Sequence, residues 1–139
     1  MIKDLCVKIA GEAGQGVNVA ALTLAKAFTR SGFNAFLLTD NPNSIKLELV
    51  SCSLRISESS ITSQTNSVNI LACLFKGAIE RHQNEVIENG YILYDSESIK
   101  LDASDKLPKI NYFTIPLTKI IKDFNLPELF KNTIILGAI

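Results

Sequence analysis

An α/β fold, with helices layered on a β-sheet, is what this sequence predicts. Three features point to it. An apolar run, residues 5–10, passes through the turn Gly11-Glu12-Ala13-Gly14-Gln15-Gly16 straight into an amphipathic helical pattern, Val17–Arg30. Further apolar runs of strand length follow, separated by turn formers or by helical spacing. One of them, residues 47–57, alternates apolar with polar residues, whereas the first two are continuously apolar. Continuous runs suit buried parallel strands, and alternation suits a strand with one polar face. The expected fold class is therefore a Rossmann-like layered domain that departs from a plain doubly wound sheet.

The elements follow in order. In the first helix Val17, Ala20, Ala21, Leu24, Ala27 and Phe28 recur at i, i+3, i+4 spacing, with Asn18, Lys26 and Arg30 mostly opposite. Small residues on that face let the helix sit close to a sheet, and Gly32 reads as the residue just past its end. Residues 33–39 (F-N-A-F-L-L-T) form the second strand, and strand–helix–strand predicts a right-handed βαβ unit with parallel strands. Asp40-Asn41-Pro42-Asn43-Ser44 is dense in turn formers. In residues 47–57, Leu47, Leu49, Cys52, Leu54 and Ile56 fall on one side only if the phase slips near Val50–Ser51, which reads as a bulge. Residues 58–67 form a polar loop. Residues 68–75 are a buried strand, residues 76–88 a polar-faced helix closed by Asn89-Gly90, and residues 91–94 the next strand. Residues 110–115 are another strand, and residues 116–124 start like a helix with proline at its first turn. The chain finishes in an apolar, helix-like run, residues 132–139, as expected of a domain that is continued in a longer polypeptide or covered by a partner.

Length and composition fit one domain, residues 1–139, able to bury roughly two-thirds of the surface its unfolded chain exposes. Apolar residues make up 47% and charged residues 20%, which excludes a disordered chain. Lys+Arg and Asp+Glu balance at 14 each, with no basic run, so no nucleic-acid partner is expected. Cys6, Cys52 and Cys73 lie in apolar runs without C-x-x-C spacing and read as small buried hydrophobes of a reducing compartment, neither metal ligands nor disulfides. No signal peptide and no membrane-length apolar run occurs, giving the expectation of a cytoplasmic protein without a membrane partner.

The glycine turn is the candidate site. Gly11-x-Ala13-x-x-Gly16 matches two of the three glycines of a dinucleotide fingerprint, with Asp40 at the second strand's end for a ribose hydroxyl. Ala13 is the flaw, because a Cβ at a position needing positive φ costs about 1 kcal/mol. Nucleotide site, tight structural turn and partner contact all remain open on these residues. Lys46 and Arg55 are the cations best placed to meet phosphate or carboxylate, with surface salt bridges as the plainer reading. His82 reads as part of a solvated helix face, and Asp95 and Glu97 as loop solvation. No nucleophile elbow, zinc signature or Walker motif is present, so no catalytic residue and no metal ligand is assigned.

The order of motifs resembles a known family. I-A-G-E-A-G-Q-G-V (9–17), L-A-K-A-F (24–28), S-G-F (31–33), N-P-N-S-I-K (41–46), S-L-R-I-S-E (53–58), Y-D-S-E (94–97) and N-T-I-I-L-G-A-I (132–139) together look like the gamma domain of 2-oxoacid:ferredoxin oxidoreductases, the pyruvate and 2-oxoglutarate type. The turn is most similar to the form fused ahead of an alpha subunit. The resemblance implies an α/β fold with a partly mixed sheet and a place in an oligomeric complex that oxidatively decarboxylates a 2-oxoacid. That complex uses thiamine diphosphate, passes electrons through iron–sulfur clusters to ferredoxin, and forms an acyl-CoA. It implies alpha and beta partner subunits, those cofactors held mainly by them, and an assembly and coenzyme A-side role for the gamma domain, inactive alone. Within the family's turn, alanine at position 13 is an accepted variant. Two positions depart from the pattern: Lys46-Leu47-Glu48-Leu49 stands where the family usually has an Arg-Gly-Gly-His-like turn, and Asn69 where it often has Asp. The first implies lost ligand contact at that turn.

Overall fold

The structure is a computed structural model that describes residues 4–40 and 49–139. Six strands form one sheet: β1 (Asp4–Glu12), β2 (Asn34–Asp40), β3 (Leu49–Ser57), β4 (Val68–Cys73), β5 (Val86–Tyr94) and β6 (Asn111–Thr114). Their order across the sheet is β2-β3-β1-β4-β5-β6. Strand β3 runs antiparallel to both β1 and β2, while β1, β4, β5 and β6 are mutually parallel. The expected α/β class and mixed sheet are both present. Strands β1 and β2 do run in the same direction, but β3 stands between them, so the first βαβ unit is split by an inserted antiparallel strand.

Helix α1 (Val17–Arg30) has the predicted limits. Its end is a Schellman motif: Phe33 N–H donates to the Phe28 carbonyl and Gly32 N–H to that of Thr29, both at 3.1 Å. The accompanying apolar contact is an edge-to-face pair of Phe28 and Phe33, 5.8 Å between ring centres. Its buried face is Val17, Ala20, Ala21 and Ala25. Ala27, assigned to that face from its spacing, is exposed, and Ala25 takes its place. The alanines bring α1 against Val7, Ile9, Cys52, Leu54 and Ile56, where α3 (Leu117–Asp123) and α4 (Lys131–Leu136) also deposit Leu117 and Ile135. The opposite face packs Cys6, Ala10, Leu71, Cys73 and Ile92 under α2 (Lys76–His82). None of the described helices is long and apolar enough to cross a membrane.

Two expectations about local structure are corrected. Strand β3 has no bulge: it pairs without interruption from Leu49 opposite Glu12 to Ser57 opposite Asp4. Leu49 simply faces the α2 side while Val50, Cys52, Leu54 and Ile56 face α1, so an intact strand feeds both cores. The expected helix over 76–88 ends at His82, a short 3-10 turn covers Gln83–Glu85, and Val86 already enters β5. The true irregularity lies between β4 and β5, where the register shifts between Val68 and Ile70. There the Asn69 side chain accepts the Cys6 N–H at 2.8 Å, just before the β1–β4 ladder begins at Val7 and Ile70.

Candidate functional site

Between β1 and α1 the glycine turn is closed largely by its own atoms. Gln15 N–H donates to the Glu12 carbonyl at 3.1 Å, and the Gln15 Oε1 accepts the Glu12 N–H at 2.7 Å. Positive φ falls on Gly14 (89°) and Gly16 (73°), not on Ala13. The alanine therefore carries no left-handed strain, which corrects the cost assigned to it from the fingerprint alignment. Gly16 is the N-cap residue of α1 and offers no side-chain acceptor, so the helix's first N–H groups are uncapped at the corner.

The loop is clamped from the far end of the chain. Asn132, at the start of α4 and 6% exposed, donates from Nδ2 to the carbonyls of Gln15 and Gly16 at 3.2 and 3.3 Å. Thr133 in turn donates its hydroxyl to Asn132 Oδ1 at 2.9 Å. A Cβ on Gly16 would lie 2.1 Å from Asn132 Nδ2, so glycine is required by this contact as well as by its φ. Around Gly14, by contrast, a Cβ would meet nothing within 4 Å. Gly14 and Leu129 together border two clefts, of about 130 and about 360 Å³. Lys131 on the smaller cleft is ion-paired with Glu128 at 2.7 Å. Glu12 is exposed beside them, so among the described residues the corner holds two carboxylates against one ammonium.

The other sequence-predicted residues lie elsewhere. Arg55 sits further along β3, opposite Cys6. Its guanidinium grips Asp4 in a two-pronged pair at 2.7 and 3.0 Å and donates to the Ser63 carbonyl at 2.8 Å. Asp4 holds its proton less tightly for that hydrogen bond. Arg55 is thus engaged within the protein. Lys46, and the turn departure except for Leu49, lie outside the described residues; Leu49 is a buried strand residue. Asp40 ends β2, two strands from β1 and hence about 10 Å away. In a dinucleotide fold these two strands would be neighbours.

Burial raises all three thiols, Cys6 to about 11, with Cys73 higher still and Cys52 partly offset by its contact with Thr39. Cys6 and Cys73 lie in one core and Cys52 in the other. Among the described residues no group of three or more His, Cys, Asp or Glu is placed to hold a metal ion.

Two polar residues prove structural rather than solvated. Asp95 is 1% exposed, not part of a solvated loop. Its carboxylate accepts the Glu97 N–H (3.2 Å), the Ser98 hydroxyl (2.9 Å), the Thr118 N–H (3.1 Å) and the Thr118 hydroxyl. It caps α3, whose N-cap residue Pro116 has no acceptor of its own. Burial would raise its pKa, but these hydrogen bonds outweigh it and hold the carboxyl below its ordinary value.

His82, read from the sequence as solvated, is 3% exposed. Its Nδ1 meets Glu85 Oε1 at 2.7 Å, and Glu85 also pairs with Lys8. An ionised Glu85 only accepts, so Nδ1 carries the proton and Nε2 is a bare lone pair, buried without a partner. Burial lowers the His82 pKa more than the Glu85 hydrogen bond raises it; Lys8 and Arg81 lower it further. The folded state therefore refuses a proton that the unfolded chain accepts. Stability should fall as pH drops from about 7 toward 5, above the carboxylate range. Denaturant titrations at these pH values should show a slope that His82→Leu removes; an unchanged slope would refute the assignment.

Asn132 was not legible as a site residue, since its partners are more than 100 positions away. The nearest signal was a polar residue heading an apolar run.

Residues 6–139 match the family described as pyruvate ferredoxin/flavodoxin oxidoreductase. The chain belongs to this family. The likeness read from its motifs is borne out, and the family's relatives include a 2-oxoglutarate synthase subunit, KorC, of Methanocaldococcus jannaschii. That protein is 24% identical over 145 residues, covering 96% of this chain and 72% of its own length. Among solved structures, a 2-oxoglutarate:ferredoxin oxidoreductase from Magnetococcus marinus, with 2-oxoglutarate, coenzyme A and succinyl-CoA bound, superposes with a TM-score of 0.86 at 22% identity over 98% of this chain. The chain spans only 24% of the length of that protein. The gamma subunit of a keto/oxoacid ferredoxin oxidoreductase from Geobacter sulfurreducens gives 0.75 at 22% identity, over 97% of this chain and 73% of its own. These likenesses show that the fold is shared with those proteins.

Proposed function

We propose that the chain is the gamma-type component of a thiamine diphosphate-dependent 2-oxoacid:ferredoxin oxidoreductase, which decarboxylates a 2-oxoacid and passes the acyl group to coenzyme A. The observation that carries this reading is the family match over residues 6–139 combined with a fold shared with gamma subunits. In this reading the chain works in the cytoplasm with alpha- and beta-type partners, reduces ferredoxin only through them, and has no turnover alone.

The described residues do not fit either cofactor. The three cysteines are buried, protonated and split between two cores, so they do not form an iron–sulfur ligand set. A diphosphate–metal site needs clustered oxygen ligands, and none is found among the described residues. Both cofactors are therefore assigned to the partners. The glycine corner is assigned to assembly, supported by its open Gly14 beside the Asn132 clamp. A coenzyme A-side role is assigned to the chain as a whole, supported by the coenzyme A bound in the Magnetococcus relative. The alternative of a free-standing dinucleotide domain is disfavoured by β3, which keeps Asp40 from the loop. Calorimetry should show no saturable heat for NAD or FAD with the isolated chain. Tight binding of either would overturn the proposal.

A further inference from the structure

The glycine corner is apolar and acidic at once, a poor combination for a phosphate and a good one for a polypeptide. Val19, one turn into α1, is 66% exposed, and Leu129, on the 3-10 turn Glu128–Phe130, is 54% exposed. Both border the larger cleft, as does Gly14. Among the described residues the cation bordering these clefts is Lys131, already matched by Glu128, and Glu12 has no ion-pair partner among them. A diphosphate entering here would meet the Glu12 and Glu128 carboxylates with a single neutralised ammonium against them. A side chain that buries apolar surface against Val19 and Leu129 faces no such penalty, and a neighbouring cation would find Glu12.

We infer that this corner is the seat of a partner-subunit segment carrying an apolar side chain beside a lysine or arginine. The inference rests on the proposed membership of an oxidoreductase complex and names the surface by which the chain joins it. The Asn132 clamp gives that surface a fixed shape, which lowers the ordering cost of docking.

The test co-expresses the tagged chain with the alpha- and beta-type subunits of its oxidoreductase and measures how much of them purifies with it. Leu129→Glu and Val19→Glu should each cut recovery at least about tenfold. Melting of the isolated variants should stay near that of the parent. Should Leu129→Glu fail to fold, Val19→Glu, on the helix exterior, carries the test. Glu12→Lys with Glu128→Lys should also weaken recovery, and more strongly at low salt. Phe113→Glu, at an equally exposed residue on the far edge of the sheet, should leave it unchanged. Undiminished recovery with both glutamate variants overturns the docking corner while leaving the complex itself intact. So does loss of coenzyme A binding by these variants with assembly preserved, which would make the corner a small-molecule site. If the parent chain recovers neither subunit, the proposed function fails too.

Discussion

Gly16→Ala should destabilise the chain by about 3 kcal/mol. An alanine held in the left-handed region costs about 1–2 kcal/mol. Its Cβ, 2.1 Å from Asn132 Nδ2, also forces out a side chain that makes two neutral hydrogen bonds to the loop. Each is worth about 1 kcal/mol. For a domain of this size the melting temperature should fall by roughly 10 °C. Asn132→Ala, which loses the bonds without the strain, should cost about 2 kcal/mol. The double variant should cost less than the sum of the singles, because the clash disappears with the asparagine. Strict additivity in that cycle, or a Gly16→Ala protein as stable as the parent, would show that α4 does not clamp the loop.

The second large effect is expected from Asp95→Ala. The substitution leaves two backbone N–H groups and two hydroxyls without their shared acceptor, and removes the cap of α3, whose Leu117 is a core residue. Hydrogen bonds to a charged group contribute about 1.5–3 kcal/mol each and are not additive, so a loss of about 3 kcal/mol or more is expected at neutral pH. The sign with pH is set by the depressed folded-state pKa. The carboxylate's contribution is present above its ordinary value near 3.8 and is lost as pH falls through the folded value. The gap between parent and variant should therefore narrow in acid. Equal stability at pH 7 would mean that α3 does not depend on Asp95.

How much of this was legible differed with the range of the forces involved. Helix α1 was readable end to end, because its spacing, its glycine turn and the cap at Gly32 are all local to residues 11–33. A partly mixed sheet was implied by the family resemblance, and the alternation in β3 set that strand apart from the first two. The place of β3 between β1 and β2 was not legible, since no local pattern says which strand a polar-faced strand will pair with. The apparent phase slip at Val50–Ser51 arose from reading one polar face where Leu49 and Val50 serve opposite cores. His82 and Asp95 looked solvated because their residue types usually are. Their burial is decided by Glu85 and Lys8 in one case and by Thr118 in the other. Within the glycine turn, the sequence marked a candidate corner but not which glycines do what. Gly16 is explained by its positive φ together with the Asn132 contact, and Ala13 is strain-free because positive φ falls on Gly14 and Gly16 instead.

In the proposed function this chain is one component of a multi-subunit oxidoreductase and has no turnover of its own. Coenzyme A-dependent oxidation of pyruvate and of 2-oxoglutarate, followed by ferredoxin reduction, tests it most directly when run on the complete complex, on the complex lacking this chain, and on this chain alone. The account predicts turnover of at least one of the two acids by the complete complex, a severe loss without this chain, and none from the chain by itself. Turnover by the isolated chain, or full activity in its absence, would contradict it.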